Sequence, residues 1–201
     1  YMFKIEEAKY IIEDSRARVV ITSRLNLEAT REIRLRVDSL KQIITTTKVE
    51  DDILDLARLA KSPAHAFSYK TIGRHDPAVI MYTSGTTGRP KGAVLTHQNL
   101  VSNALDAKQA IAITPKDTFI CILPLFHSFA ATVCMNLPLA IGAKIVVMKT
   151  LKPFKRVIRA IRKNNVSIFV GIPSIFSILK NTKLPTLLHT PLMRLFNPVR
   201  L

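Results

Sequence analysis

The sequence predicts an α/β protein with a largely parallel sheet. Short runs of β-branched residues alternate with segments whose apolar residues recur at helical spacing, a pattern typical of parallel strands joined by helices. The chain has 201 residues, 48% of them hydrophobic, which is enough apolar material for a sizeable core.

Each predicted element is bounded by turn-forming or polar residues. The strands are expected at residues 19–22, 42–46, 78–83, 118–123, 145–148 and 167–171. The helices are expected at residues 5–14, 51–61, 99–111 and 153–164. In the last of these, Phe154, Val157, Ile158 and Ile161 share one face, so this helix is predicted to pack on a sheet with its cations in water. Residues 62–76 are expected to form an extended connection.

Residues 118–143 contain no Asp, Glu, Lys or Arg, a length that raises a membrane-spanning helix as an alternative. Pro124, Asn136 and Pro138 interrupt the segment, and Gly142 suits the end of a helix. A buried strand, a loop and a core helix are therefore predicted instead.

The net charge is +16, from 30 Lys plus Arg against 14 Asp plus Glu, and no acidic residue follows Asp117. Residues 149–163 are rich in Lys and Arg, which could attract an anionic partner or make peripheral contact with a membrane surface. Alternatively, these cations are simply the water-exposed face of a helix. Aromatic residues make up 6% of the chain and tryptophan is absent, so we expect no specific nucleic-acid binding.

The two cysteines, Cys121 and Cys134, lie in apolar sequence and provide neither a disulfide framework nor a metal-ligand pattern. They are predicted to be buried, inert thiols in a reducing, cytoplasmic setting. Tyr1 at the start and Leu201 at the end lead us to expect a piece of a longer protein.

The most informative segment, which we call the candidate phosphate loop, comprises residues 83–92. An apolar strand runs directly into small hydroxyl residues and glycines, and the segment closes with Pro90, Lys91 and Gly92. Glycines let backbone N–H groups approach an anion, hydroxyl groups add donors, and a lysine adds positive charge. Because Gly92 rather than Ser or Thr follows Lys91, the segment does not fit the Walker pattern and is a phosphate loop of another kind.

Tyr82 and the candidate phosphate loop together, residues 82–92, resemble the signature of the adenylate-forming, AMP-binding superfamily, which includes acyl-CoA synthetases, aryl-CoA ligases, peptide synthetase adenylation domains and beetle luciferases. Residues 76–80 and 96–100 are similar to the segments that flank the loop in that family. Residues 123–127, Leu-Pro-Leu-Phe-His, resemble its acyl-pocket motif, and residues 171–174, Gly-Ile-Pro-Ser, resemble a segment often written Val-Pro-Thr. The resemblance covers nearly the whole chain and extends upstream to residues 3–22.

The resemblance implies roles for individual residues. The β and γ phosphates of ATP would be held by Thr83, Ser84, Gly85, Thr86, Thr87, Gly88 and Lys91. Thr83 would also contribute to an Mg²⁺ site, and Phe126 and His127 would line the acyl or aryl pocket. The cofactors implied are ATP, Mg²⁺ and coenzyme A. No residue of this chain is expected to be catalytic in its own right.

The resemblance further implies that residues 1–201 are an incomplete N-terminal AMP-binding domain, the parallel-sheet part of the large domain. The chain has no Tyr-Gly-x-Thr-Glu segment for adenine and magnesium, no Thr-Gly-Asp for ribose, and no small C-terminal domain with its lysine. We therefore expect an acid–thiol ligase in which this part alone is inactive.

The substrate expected from the resemblance is a carboxylic acid, with a fatty acid favoured by the apolar residues 129–131 that follow His127. Aryl and amino acids remain alternatives. A truncated nucleotide-binding pseudoenzyme is a further alternative.

Overall fold

The computed structural model describes residues 4–49, 53–61, 71–83, 89–181 and 194–196, without side chains for 178–181 and 194–196. The chain divides into two compact units, Tyr1–Gly73 with Ala78–Val94, and Arg74–Pro77 with Leu95–Leu201. Helices and parallel strands alternate in both, which confirms the α/β prediction.

The first unit opens with a helix and a small parallel sheet. Its elements are α1 (Ile5–Asp14), β1 (Val19–Thr22), α2 (Leu27–Arg36), β2 (Gln42–Thr45), β3 (Leu54–Asp55) and α3 (Leu56–Lys61). The strand order is β1-β2-β3, and the pairing is parallel, with Val19 opposite Gln42 and Ile44 opposite Leu54. Ile33, Val37 and Leu40 form the buried core, against which Ala8, Ile12 and Val20 pack.

Two further strands, β4 (Pro77–Thr83) and β5 (Lys91–Thr96), are neighbours in a two-stranded sheet. β4 confirms the strand predicted at 78–83. β5 was not predicted, because its first residues, Lys91 and Gly92, were interpreted as the end of a loop.

The second unit contains a four-stranded parallel sheet with strand order β7-β6-β8-β9. Its strands are β6 (Thr118–Cys121), β7 (Lys144–Val147), β8 (Ile168–Val170) and β9 (Arg194–Phe196). The helices that accompany them are α4 (His97–Ala110), α5 (Ser128–Ala131), α6 (Leu137–Ile141), α7 (Phe154–Asn164) and α8 (Pro173–Asn181). All side chains of β6 and β8 are buried, as expected for central parallel strands covered on both faces.

The core of the second unit is built around Phe119, Ile120 and Phe169, whose side chains are almost completely shielded from water. Phe169 meets Phe176 edge to face, with ring centroids 5.9 Å apart. This geometry is favourable for aromatic pairs and adds to the gain from burying their area.

Residues 118–143 form the predicted buried strand, loop and helix. After β6 the chain enters α5, continues through a wide π-helical turn (Thr132–Asn136), and ends in α6. Gly142 terminates α6 in the left-handed conformation (φ 74°), as its position suggested. Within the described residues, no helix is both long and apolar enough to cross a membrane.

Helix α7 has the two faces that its sequence predicts. Val157 and Ile161 are buried in the core of the second unit, and Phe154 and Ile158 are partly buried there. The remaining face is basic and exposed, and carries Lys155, Arg156, Arg159, Arg162 and Lys163.

The helix predicted at 51–61 is shorter than expected. Leu54–Asp55 is a strand, and the helix begins at Leu56, while residues 51–52 lie outside the described part of the chain. The carboxylate of Asp55 accepts a hydrogen bond from the backbone N–H of Arg58 at 2.7 Å. Such a bond satisfies a free N–H at a helix start, so Asp55 fixes the first turn of α3.

Both cysteines are buried free thiols, as predicted from their apolar surroundings. Burial, reinforced by the nearby Cys121, raises the pKa of Cys134 from 9.0 to about 12. Burial also raises the pKa of Cys121.

The raised pKa of Cys134 predicts a loss of stability in alkali. Above the unfolded pKa of 9.0 the unfolded thiol releases its proton while the folded thiol keeps it, so stability falls as pH rises. We expect Cys134 to contribute a loss of about 2 kcal/mol in the free energy of unfolding between about pH 8.5 and about pH 10.5. Urea denaturation of the natural chain and of Cys134→Ala at several pH values in this range measures the free energy of unfolding of each. An equally steep decline in Cys134→Ala would show that other groups cause the loss.

Candidate functional site

The candidate phosphate loop connects two strands that are paired in one sheet. β4 ends at Thr83 and β5 begins at Lys91, so hydrogen bonding between the strands holds the two ends of the loop side by side. Ser84, Gly85, Thr86, Thr87 and Gly88 lie outside the described residues.

Thr83 and Lys91 occupy opposite ends of this connection, and both are exposed. Thr83 offers a hydroxyl group that can donate or accept a hydrogen bond. Lys91 offers a compact positive charge with three donors. A donor and a cation at the base of a loop suit a phosphate ligand.

Gly92 follows Lys91 and lets β5 approach β4 closely. A β-carbon at this position would lie 2.9 Å from Cγ2 of Ile80 and 3.0 Å from Cζ of Tyr82. These distances are shorter than normal contacts, so a larger residue would have to displace the side chains of β4. Packing against β4 therefore favours glycine at this position.

Tyr82 precedes Thr83 and is hydrogen-bonded to helix α1. Its hydroxyl donates to Oδ2 of Asp14 at 2.6 Å. Partial burial, followed by the hydrogen bond and charge of Asp14, raises the pKa of Tyr82 from 10.0 to about 12. A tyrosine is protonated at neutral pH in any case; the raised pKa means that this phenol remains a hydrogen-bond donor further into the alkaline range.

Arg89, at the other end of the loop, also lies against α1. Its Cζ atom is 5.8 Å from the centroid of the Tyr10 ring, within the range of a cation–π contact.

Phe126 and His127 lie in the second unit, just before α5. Their ring centroids are 4.2 Å apart and the ring planes are inclined at 45°. The backbone carbonyl of His127 accepts a hydrogen bond from Ala131 at 2.9 Å, which fixes His127 at the start of the helix. Both side chains are exposed to solvent, Phe126 by 60%, so a ligand could reach them.

The two halves of the predicted site thus belong to different units. Thr83 and Lys91 are brought together by the β4–β5 pair of the first unit, and Phe126 and His127 by the turn before α5 in the second. Their roles toward ATP, Mg²⁺ and an acid remain predictions.

A family model described as AMP-binding enzyme matches residues 1–195. The chain belongs to the AMP-binding enzyme family. This assignment confirms the resemblance drawn from the candidate phosphate loop.

Related proteins in this AMP-binding family include CoA ligases. The chain is 30% identical over 190 residues to an acyl-CoA ligase of Beauveria bassiana, covering 89% of this chain and 33% of that protein. It is 27% identical over 210 residues to a long-chain-fatty-acid–CoA ligase of Bacillus subtilis, covering 87% and 36%. The chain therefore spans about a third of the length of the curated relatives it matches.

The fold is shared with solved CoA-ligase structures. The ATP-bound crystal structure of MatB from Rhodopseudomonas palustris superimposes with a TM-score of 0.75 at 27% identity, over 90% of this chain and 35% of that protein. This likeness confirms the prediction of an AMP-binding N-terminal fold.

Sequence reasoning missed the contacts of Tyr82 with Asp14 and of Arg89 with Tyr10. Asp14 and Tyr82 are 68 residues apart in the chain, so no local pattern links them. A signal was nevertheless present at Tyr82, a phenol placed next to the first hydroxyl residue of the loop.

Proposed function

We propose that the protein to which this chain belongs activates a carboxylic acid with ATP and transfers the acyl group to coenzyme A. The proposal rests chiefly on the β4–loop–β5 arrangement, which holds Thr83 and Lys91 at the ends of a glycine- and hydroxyl-rich loop in an AMP-binding enzyme.

The reaction has two displacement steps. In the first, a carboxylate oxygen forms a bond to the α phosphorus of ATP, and the bond to the bridging oxygen breaks, so pyrophosphate leaves with the electron pair. In the second, the sulfur of coenzyme A, having lost its proton, bonds to the acyl carbon, and AMP leaves. Neither step requires a covalent bond to the protein, so positioning and electrostatic stabilisation are the protein's main contributions.

The residues of the candidate phosphate loop would stabilise the leaving pyrophosphate. Ser84, Gly85, Thr86, Thr87 and Gly88 would supply hydroxyl and backbone N–H donors to the β and γ phosphates. Lys91 would neutralise part of the charge that builds up as the bond breaks.

Mg²⁺ in nucleotide sites is held by one or two protein oxygens together with substrate phosphates. The exposed hydroxyl of Thr83, at the end of β4, fits that modest requirement. When bound, the ion would neutralise phosphate oxygens and orient them.

We infer a fatty acid as the preferred substrate, with the acyl chain near Phe126 and His127. Phe126 presents an exposed apolar ring beside an imidazole, a surface suited to an acyl chain. The similarity to the long-chain-fatty-acid–CoA ligase of Bacillus subtilis supports the same choice.

Pyrophosphate release and acyl-CoA formation by the full-length protein test this function. We expect fatty acids to support both reactions more strongly than aryl or amino acids. Absence of turnover with every acid, despite ATP binding, would instead favour a nucleotide-binding pseudoenzyme.

The 201-residue chain, assayed in parallel, is expected to release no pyrophosphate above background, because it contains no recognisable segment for adenine or ribose. Steady release by this chain would contradict that expectation.

A further inference from the structure

Helix α1 contacts the strand that enters the candidate phosphate loop. Tyr82 donates a hydrogen bond to Asp14, and its hydroxyl also lies 3.5 Å from the carbonyl oxygen of Ile11, in the same last turn of the helix. On its other side the Tyr82 ring faces Gly92, where a β-carbon would come within 3.0 Å. Tyr82 is therefore confined between α1 and β5.

The same helix contacts the chain where it leaves the loop. Arg89 lies over the ring of Tyr10, one turn before Asp14. Arg89 and Pro90 also border a cavity of about 330 Å³. Its remaining walls come from α1, namely Glu6, Glu7, Lys9, Tyr10 and Glu13. The glutamates supply a negative surrounding that favours the guanidinium at this position.

The two contacts lie on either side of residues 83–88. One is a charge-assisted hydrogen bond, among the stronger and more directional side-chain interactions. The other is a cation–π contact, which is weaker and mainly restricts where the guanidinium lies. Together they fix the side chains of Tyr82 and Arg89, which flank this segment, relative to one helix.

We propose that α1 positions the chain where it enters and leaves the candidate phosphate loop, with Asp14 and Tyr10 as the positioning residues for Tyr82 and Arg89. This inference rests on the proposed function, because its consequence is tighter binding of the ATP phosphates. Neither residue need touch the nucleotide. Each acts through its partner, Asp14 through Tyr82 and Tyr10 through Arg89.

Mg·ATP titrated into the full-length protein measures the consequence. Asp14→Ala and Tyr82→Phe each remove the hydrogen bond between these two residues, so each is expected to weaken Mg·ATP binding about fivefold. The double variant should be little weaker than either single variant, because both remove the same contact. Tyr10→Leu should weaken binding about threefold.

Two variants separate positioning from general damage to the fold. Asp14→Asn keeps a side-chain oxygen that can accept the tyrosine hydroxyl, so binding should recover to within about twofold of the natural protein. Asp38→Ala removes an exposed carboxylate from the turn after α2 and should leave affinity unchanged. Melting temperatures measured alongside show whether each variant is folded.

Hydrogen exchange without nucleotide gives a second readout that does not depend on ATP binding. The amides of Tyr82 and Thr83, at the end of β4, should exchange faster in Asp14→Ala and Tyr82→Phe than in the natural protein, and at the natural rate in Asp38→Ala. Unchanged exchange in folded variants would overturn the inference. Normal Mg·ATP affinity in those variants would also overturn it while leaving the proposed function intact. Failure of the natural protein to bind Mg·ATP would instead reject the proposed function, and hydrogen exchange would still decide whether α1 positions the loop.

Discussion

Replacing Lys91 with alanine is expected to lower kcat/KM for ATP by about 100- to 1000-fold in the full-length protein. Losing one well-placed group that stabilises charge in a transition state has an effect of this size. The side chain is exposed at the first residue of β5, so its removal should cost little folding stability. The loss should come mainly from weaker stabilisation of the leaving pyrophosphate. Steady-state kinetics with varied ATP measures it.

Lys41→Ala is the matched control, because Lys41 is also an exposed lysine of the first unit but lies just before β2, outside the loop. It should leave both kinetic constants unchanged. If Lys91→Ala kept the natural kcat and KM for ATP, the role assigned to this lysine would be wrong.

Replacing Phe169 with alanine is expected to lower the free energy of unfolding by about 3–5 kcal/mol, the usual cost of emptying a phenylalanine site in a core. Phe169 is 0% exposed on the central strand β8 and contacts Phe176, so its truncation would leave a cavity inside the core. Stabilities of whole domains are about 5–15 kcal/mol, so this one change removes a large share.

Chemical denaturation of the chain measures the effect of Phe169→Ala as a shift in midpoint at constant slope. Phe126→Ala deletes the same atoms at a position that is 60% exposed, and should change stability by no more than about 0.5 kcal/mol. Equal losses in the two variants would mean that β8 is not the centre of this core.

Local sequence patterns were sufficient to locate α1, β1 and α7. α1 and β1 have the predicted bounds, and α7 begins one residue after its predicted start. In the two helices apolar residues recur at helical spacing, whereas β1 is a short run of β-branched residues; a polar residue follows each element.

Helix α2 was not predicted because charged residues dominate its surface. Leu27, Thr30 and Ile33 are buried, but Glu28, Arg31, Glu32, Arg34 and Arg36 surround them. Its side chains pair with one another, Glu28 with Arg31 at 2.8 Å and Glu32 with Arg36 at 2.6 Å. Such pairs support a helix without leaving a strong apolar pattern.

The sequence was enough to predict which residues form the candidate phosphate loop, but not which side chains contact its ends. The loop could be recognised because glycine and hydroxyl residues follow a strand directly and the sequence Pro-Lys-Gly closes the segment. Its pairing with β5 and its contacts with Tyr10 and Asp14 depend on tertiary structure. Contacts between distant segments leave no period in the sequence.

The position of strand β7 at an edge of the described sheet affects the solubility of the chain. Among the described strands it pairs on one side, with β6, and Val147 is 68% exposed at its end. An open strand of this kind offers backbone groups to other copies of the chain and can seed aggregation. Lys144, at the start of β7, and Lys149, just after its end, are exposed, and their charges repel another copy of this edge. Salt screens that repulsion, so the solubility of the chain should fall as ionic strength rises.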